Sequence, residues 1–131
     1  MRRLLDTNIC VPMINRSDAS LAKRLLSSDP ASIVLCSVVR AELAFGARNS
    51  KRVAENLDRV EQFCSAFESV PFGDDAADTY GELRAQLRRE GRPIGANDLM
   101  IAAIAVAERL TLVTRNLGEF KRVPKLAIEA W

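Results

Sequence analysis

The sequence predicts a three-layer α/β/α domain with a central parallel β-sheet, and three observations carry that expectation. Short apolar runs, several of them β-branched, alternate with stretches of helical periodicity along the whole chain. One helical stretch, 96–110, is apolar on nearly every side, which suits only a helix enclosed by other elements. The 131 residues show no repeat, low-complexity tract or Gly/Ser linker, so they read as one domain over 1–131 with a single core. Strands separated by helices pair in parallel, and a parallel sheet is covered on both faces.

The elements follow in order. The run RRLL (2–5) reads as a first strand, and residues 8–15 as a short helix. A second helix, 19–28, is stopped by Asp29-Pro30. SIVLC (32–36) is a buried strand, after which Ser37 is expected to cap a helix through VVRAELAFGA. Val53, Leu57, Val60, Cys64 and Phe67 recur at spacings of four and three, predicting an amphipathic helix over 51–68. SVPF (69–72) reads as a strand, and Ala76, Tyr80, Leu83 and Leu87 mark a helix ending near Gly91. The apolar helix 96–110, then strands at TLVT (111–114) and LAIEAW (126–131), close the chain.

Composition excludes several kinds of function. There is no histidine, which removes Ser-His-Asp triads, Cys-His pairs, His-ligated metals and His-based ribonuclease chemistry. The three cysteines, Cys10, Cys36 and Cys64, are far apart and odd in number, against a disulfide framework or a structural zinc site. A reducing cytoplasm is the expected setting. No apolar run approaches the length of a membrane span, and Asp6 comes too early for a signal peptide. A net charge of +2 does not by itself announce nucleic acid, although a local patch can be basic where the average is not.

Four acids stand out because each follows an apolar strand or opens a buried helix. Asp6 ends the first strand in LLDTN; Glu42 lies in the second turn of the helix after SIVLC; Asp98 lies in the first turn of the apolar helix; Glu119 follows TLVT. Taken singly, Asp98 reads as a helix-start acid favoured by the dipole, and Glu42 as an exposed residue paired with an Arg. Taken together they fall where a parallel sheet gathers its ligands, at the carboxyl ends of the strands. Two charges ~4 Å apart repel by roughly 4 kcal/mol at an effective dielectric of 20, so a shared cleft needs a cation or a proton. Oxygen ligands without His or Cys select Mg²⁺ or Mn²⁺. Such an ion activates water against a phosphodiester. Thr7, Asn8, Ser37, Thr114 and Asn116 stand at the same strand ends; they either orient the acids or cap helices and fill turns.

These segments resemble PIN-domain ribonucleases. LLDTN, SVVRAELAFGA, GANDLMIAAIA and LVTRNLGEF stand in that family's order and spacing, and the likeness extends to the closing LAIEAW. The nearest group is the VapC-type toxins of bacterial toxin–antitoxin modules. The resemblance implies a PIN-like fold with Asp6, Glu42 and Asp98 as the core catalytic acids, and Asp6 and Asp98 as metal ligands. Many PIN domains carry Asp where this chain has Asn116; this subgroup has Asn there and Glu three residues on, which makes Glu119 the fourth acid. It further implies a homodimer, joining into larger assemblies with a VapB-type antitoxin whose C-terminal segment lies across the cleft. Operator DNA would be met only through the antitoxin. The implied substrates are structured RNAs: tRNA cut in the anticodon region, the initiator tRNA among them, or the sarcin–ricin loop of ribosomal RNA.

An acidic centre needs basic surroundings to hold RNA. Arg84 and Arg88, one helical turn apart, and Arg115 and Lys121, beside the fourth acid, are the candidate walls; a solvated helix face is the plainer reading of the same residues. Aromatic residues are few, and Phe45 and Phe120 are expected in the core. Two other functions stand beside the nuclease. A haloacid-dehalogenase-like phosphatase also begins with a strand ending in Asp, but wants a second Asp where this chain has Asn8. A non-catalytic PIN-like binding protein would tolerate the Asn at position 116.

Overall fold

A computed structural model describes residues 1–131. Five strands, β1 (Arg3–Leu5), β2 (Ile33–Cys36), β3 (Glu68–Val70), β4 (Thr111–Val113) and β5 (Ala127–Glu129), form one sheet in the order β3-β2-β1-β4-β5. Every neighbouring pair is parallel, with Leu4 opposite Val34 on one side and Leu112 on the other. Leu4, Leu5, Val34 and Leu35 point alternately to the two faces, yet all are fully buried, so helices cover both sides.

Seven helices do the covering: α1 (Thr7–Ile14), α2 (Ala19–Leu26), α3 (Ser37–Arg48), α4 (Val53–Cys64), α5 (Asp74–Arg89), α6 (Ala96–Ala107) and α7 (Leu117–Phe120). The layers form as α5 packs on α6, α3 on α4, and α1 on α2. Helix α6 buries Leu99 and the whole run Ile101–Ala105, as its apolar composition predicts. Replacing Ile104, fully buried there, with Ala is expected to cost about 2–5 kcal/mol through lost contacts and a residual cavity. Urea unfolding measures it.

The chain runs outward from β1 to β2 and β3, then crosses back to place β4 on the other side of β1. The direction of winding therefore reverses between β1 and β4, and a crevice opens there at the strands' carboxyl ends. The Asp6 N–H donates to the Val113 carbonyl at 2.9 Å, which carries the β1–β4 pairing to the lip of that crevice.

Several boundaries differ from the sequence reading. The predicted helix over 51–68 stops at Cys64, because Glu68 is already paired in register with Val34. Strand β3 ends before Pro71, which has no N–H to give, and the Phe72 N–H donates instead to Ser37 Oγ at 3.0 Å. Ser37 is thus not the cap; Cys36 takes that position and Ser37 begins α3. Helix α2 ends at Leu26, where the hydroxyls of Ser27 and Ser28 both donate to the Arg24 carbonyl. Helix α6 ends at Ala107, closed by Arg109 in the left-handed region (φ 56°). A 3₁₀ turn at Pro30–Ser32 and the single turn α7 lack the length to show a period. Phe120 is buried as expected, but Phe45 is 69% exposed on α3.

Candidate active site

Asp6 is carried to the crevice by β1 and held there by its neighbours. It is only 3% exposed. Its Oδ1 accepts the Thr7 N–H at 2.8 Å, and its Oδ2 accepts the Thr114 hydroxyl at 2.7 Å. Thr114, fully buried at the end of β4, also accepts from the Asn116 N–H at 3.0 Å and from Asn8 Nδ2 at 3.4 Å. Asn8 Oδ1 in turn accepts the Arg115 N–H at 3.2 Å. Both rotamer and position of Asp6 are thereby set from two strands and the first turn of α1.

The other acids are brought in by helices. Thr7 Oγ1 donates to Glu42 Oε1 at 2.6 Å, tying α3 to α1. Glu119, on α7, is held from two sides: the Gly95 N–H donates to Oε1 at 3.0 Å and Asn116 Nδ2 to Oε2 at 2.8 Å. Asp98 stands in the first turn of α6 within hydrogen-bonding reach of Glu119.

The four acids lie close enough to bear on one another's charge. Burial raises Asp6 above the ordinary carboxyl range, and Glu42 and Glu119 push it the same way, against the hydrogen bonds from Thr114 and Thr7. Burial likewise pushes Asp98 up to about 6, with Asp6, Glu119 and Glu42 each adding to the rise. Glu119 goes the other way, held below its ordinary value first by the Gly95 N–H and then by Asn116. The two partners are thus shifted in opposite directions, Asp98 by burial and its acidic neighbours and Glu119 by the hydrogen bonds it accepts. None of the four acids forms an ion pair with Lys or Arg.

An anionic crevice lined by hydroxyls, amides and backbone N–H groups, and lacking a paired cation, has the donor chemistry of a hard divalent ion. No three His, Cys, Asp or Glu side chains converge on one point. An ion here would take few direct carboxylate ligands and fill its sphere with water, which is the habit of Mg²⁺.

The remaining sequence-derived candidates are distributed unevenly. Ser37 bonds to Phe72 rather than to any acid. Arg84 and Arg88 lie on α5 beside Tyr80, Pro93 and Ile94, around a recess of about 350 Å³. Arg84 donates to the Tyr80 hydroxyl at 3.1 Å and lies over its ring. Arg115 is bonded to Asp18, the N-cap of α2, while Lys121 is exposed just beyond α7. Two contributors escaped the sequence reading. Asn97 approaches Glu42 Oε2 at 3.5 Å, and its place beside Asp98 at a helix start was a usable signal. The Gly95 N–H is backbone and leaves no signature in residue type.

The geometry can be set beside known proteins. The PIN domain family matches residues 3–126. A Rickettsia felis protein described as ribonuclease VapC2 is 43% identical over 98% of this chain and 96% of its own length. A Shigella flexneri protein described as tRNA(fMet)-specific endonuclease VapC is 37% identical over 100% of this chain and 98% of its own. Among solved structures, VapBC2 from Rickettsia felis bound to a promoter DNA fragment contains a chain that superposes with a TM-score of 0.91. That chain is 41% identical, with 100% of this chain and 99% of that one covered. Against such matches the phosphatase alternative falls away, and Asn8 has its own work in bonding Thr114 and Arg115.

Proposed function

The chain belongs to the PIN-domain family, and from that premise we propose that it is the toxin of a type II toxin–antitoxin pair, a divalent-metal-dependent endoribonuclease that stops translation by cutting structured RNA. The observation that carries the reading is the set of four carboxylates at the β1–β4 switch point with no basic side chain paired to any of them. Full-length relatives described as VapC ribonucleases support it.

Asp6 and Asp98 would hold the ion, Mg²⁺ or in its place Mn²⁺. Bound there, it would supply activation of water and neutralisation of charge developing on the phosphoryl oxygens. Thr114 and Thr7 keep Asp6 and Glu42 in place through the hydrogen bonds they donate. Glu119, whose two oxygens accept from Gly95 and Asn116, and Glu42, held by Thr7, would complete the acidic wall around the activated water. Because water attacks, the cut leaves a 5′-phosphate and a 3′-hydroxyl. End-labelling of the fragments checks this directly; a 2′,3′-cyclic phosphate would contradict it.

The substrate is a tRNA cut in the anticodon region, with the initiator tRNA favoured by the description of the Shigella relative. Arg84, Arg88, Arg115 and Lys121 supply the basic surroundings. Arg115 already serves Asp18, so Lys121 meets phosphate more freely. Reversing charge at Lys121 is expected to lower RNA affinity and reduce the slope of log K against log salt by about 1, with a smaller change at Arg115. An unchanged slope for both would remove these residues from the RNA path.

The partner is a VapB-type antitoxin. A groove of about 270 Å³ lined by Val11, Ile14, Leu43 and Val60 has Glu42 among its walls, and suits an apolar segment of that antitoxin laid toward the acids. The toxin acts as a homodimer in the cytoplasm, assembles further with its antitoxin, and reaches operator DNA only through it. No helix is long and apolar enough to cross a membrane.

A further inference from the structure

We propose that Phe45, with Asn97 and Met100, forms a subsite that holds one unpaired base of the RNA beside the acidic centre, so that Phe45 is a specificity-determining residue; the inference rests on the nuclease reading above. Phe45 lies three residues beyond Glu42 on α3, hence on the same helical face and one turn farther from the strand end. The two residues share the wall of an open recess of about 620 Å³ with Thr7, Ser37, Asn97 and Met100. One of the four acids, Glu42, and the aromatic ring of Phe45 therefore share one recess.

The ring is free in a way no other aromatic of the chain is. There are five Phe, one Tyr and one Trp. Phe120 is buried in the core, and Phe63, Phe67, Phe72, Tyr80 and Trp131 pack against it. Phe45 belongs to neither group and is 69% exposed. A single exposed apolar side chain is ordinary on a protein surface, and Leu26 is exposed too; what sets Phe45 apart is that its ring lines the same recess as Glu42. The amide of Asn97 lies in the same recess, its one side-chain hydrogen bond being the 3.5 Å contact to Glu42. Ring and amide together are the two elements that read an unpaired base: a face to stack on and a donor–acceptor pair for its edge. The thioether of Met100 adds an adaptable apolar floor. Phe45 is the aromatic that shares a wall with Glu42 and has a face to offer.

The test uses an RNA hairpin carrying 2-aminopurine at successive loop positions, with wild type, Phe45→Ala and Phe45→Trp. In EDTA, wild type and Phe45→Trp should bind and quench the fluorophore at one loop position. Phe45→Ala should lose that quenching and bind about 5- to 150-fold more weakly, the range for one base–aromatic stack. In Mg²⁺ the loss should fall on KM, with kcat at saturation within about threefold of wild type. The side chain is exposed, so melting temperature and sedimentation should match across the three proteins. Phe45→Ala that binds and quenches like wild type would overturn the proposal. So would a variant that keeps RNA binding but loses its dimer or its affinity for purified antitoxin, because the ring would then belong to a protein contact. Wild type that quenches the loop base but cleaves nothing in Mg²⁺ would keep the subsite and overturn the nuclease reading; wild type that does not bind the hairpin would overturn the subsite.

Discussion

Replacing Asp98 with Asn should lower RNA cleavage by roughly 10³-fold or more while making the metal-free protein more stable at neutral pH. The two effects share a cause. Burial and three neighbouring carboxylates hold Asp98 at about 6, against an ordinary 3.8. The fold therefore binds a proton more tightly than the unfolded chain does. Stability from this group is complete below about pH 4, falls as pH rises toward 6, and above that the ionised carboxylate is a net cost. After allowance for its partial contact with solvent, that cost is roughly 2 kcal/mol. The Asn variant keeps the shape and drops the charge, so its Tm at pH 7.5 without metal should exceed wild type by roughly 5 °C. At pH 4 the difference should vanish. Mg²⁺ should raise the wild-type Tm at pH 7.5 and leave the variant nearly unmoved. A variant that is both inactive and destabilised would mean that Asp98 supports the fold and is not a strained ligand.

Thr114→Val should be the most damaging change outside the acids. The hydroxyl is fully buried and serves three partners at once, donating to Asp6 and accepting from Asn8 and Asn116. Valine fills the space but leaves a buried carboxylate oxygen and a backbone N–H without their partner. The expected loss is about 2–4 kcal/mol of stability and 10- to 100-fold in cleavage or metal affinity. Thr114→Ser keeps the hydroxyl and should stay within a few-fold of wild type. Urea unfolding and a Mg²⁺ titration of cleavage, run on both variants, separate the loss of fold from the loss of site. If valine and serine behave alike, Asp6 is positioned by its backbone and by Thr7 alone.

Much of this was legible in the sequence because the signals were local and redundant. LLDTN places an acid at the end of an apolar strand, and β1 does end one residue before Asp6. The helix 96–110 is apolar on all sides, and α6 is the most buried of the helices. What failed to show depends on partners distant in sequence or on backbone alone. Asp18 and Arg115 are 97 residues apart, and their pairing follows only from α2 lying beside the end of β4. Glu119 is fixed by the Gly95 N–H, which any residue there would offer. The single turn α7 is too short for any periodicity. Phe45 departs from its expected place in the core for a different reason. Its residue type argued for the core, but its spacing of three from Glu42 already placed it on the face that turns toward the crevice. There the geometry of the helix outweighs the preference of the side chain.

On the proposed reading, the four acids form a metal-dependent hydrolytic centre acting on RNA. Its most direct test incubates the purified protein, freed of antitoxin, with total bacterial RNA in Mg²⁺, alongside the same reaction in EDTA and the reaction of Asp98→Asn. A discrete new RNA fragment is expected, lost in both controls. Cleavage that survives Asp98→Asn and EDTA, or none from a folded wild-type protein in Mg²⁺ or Mn²⁺, would contradict it.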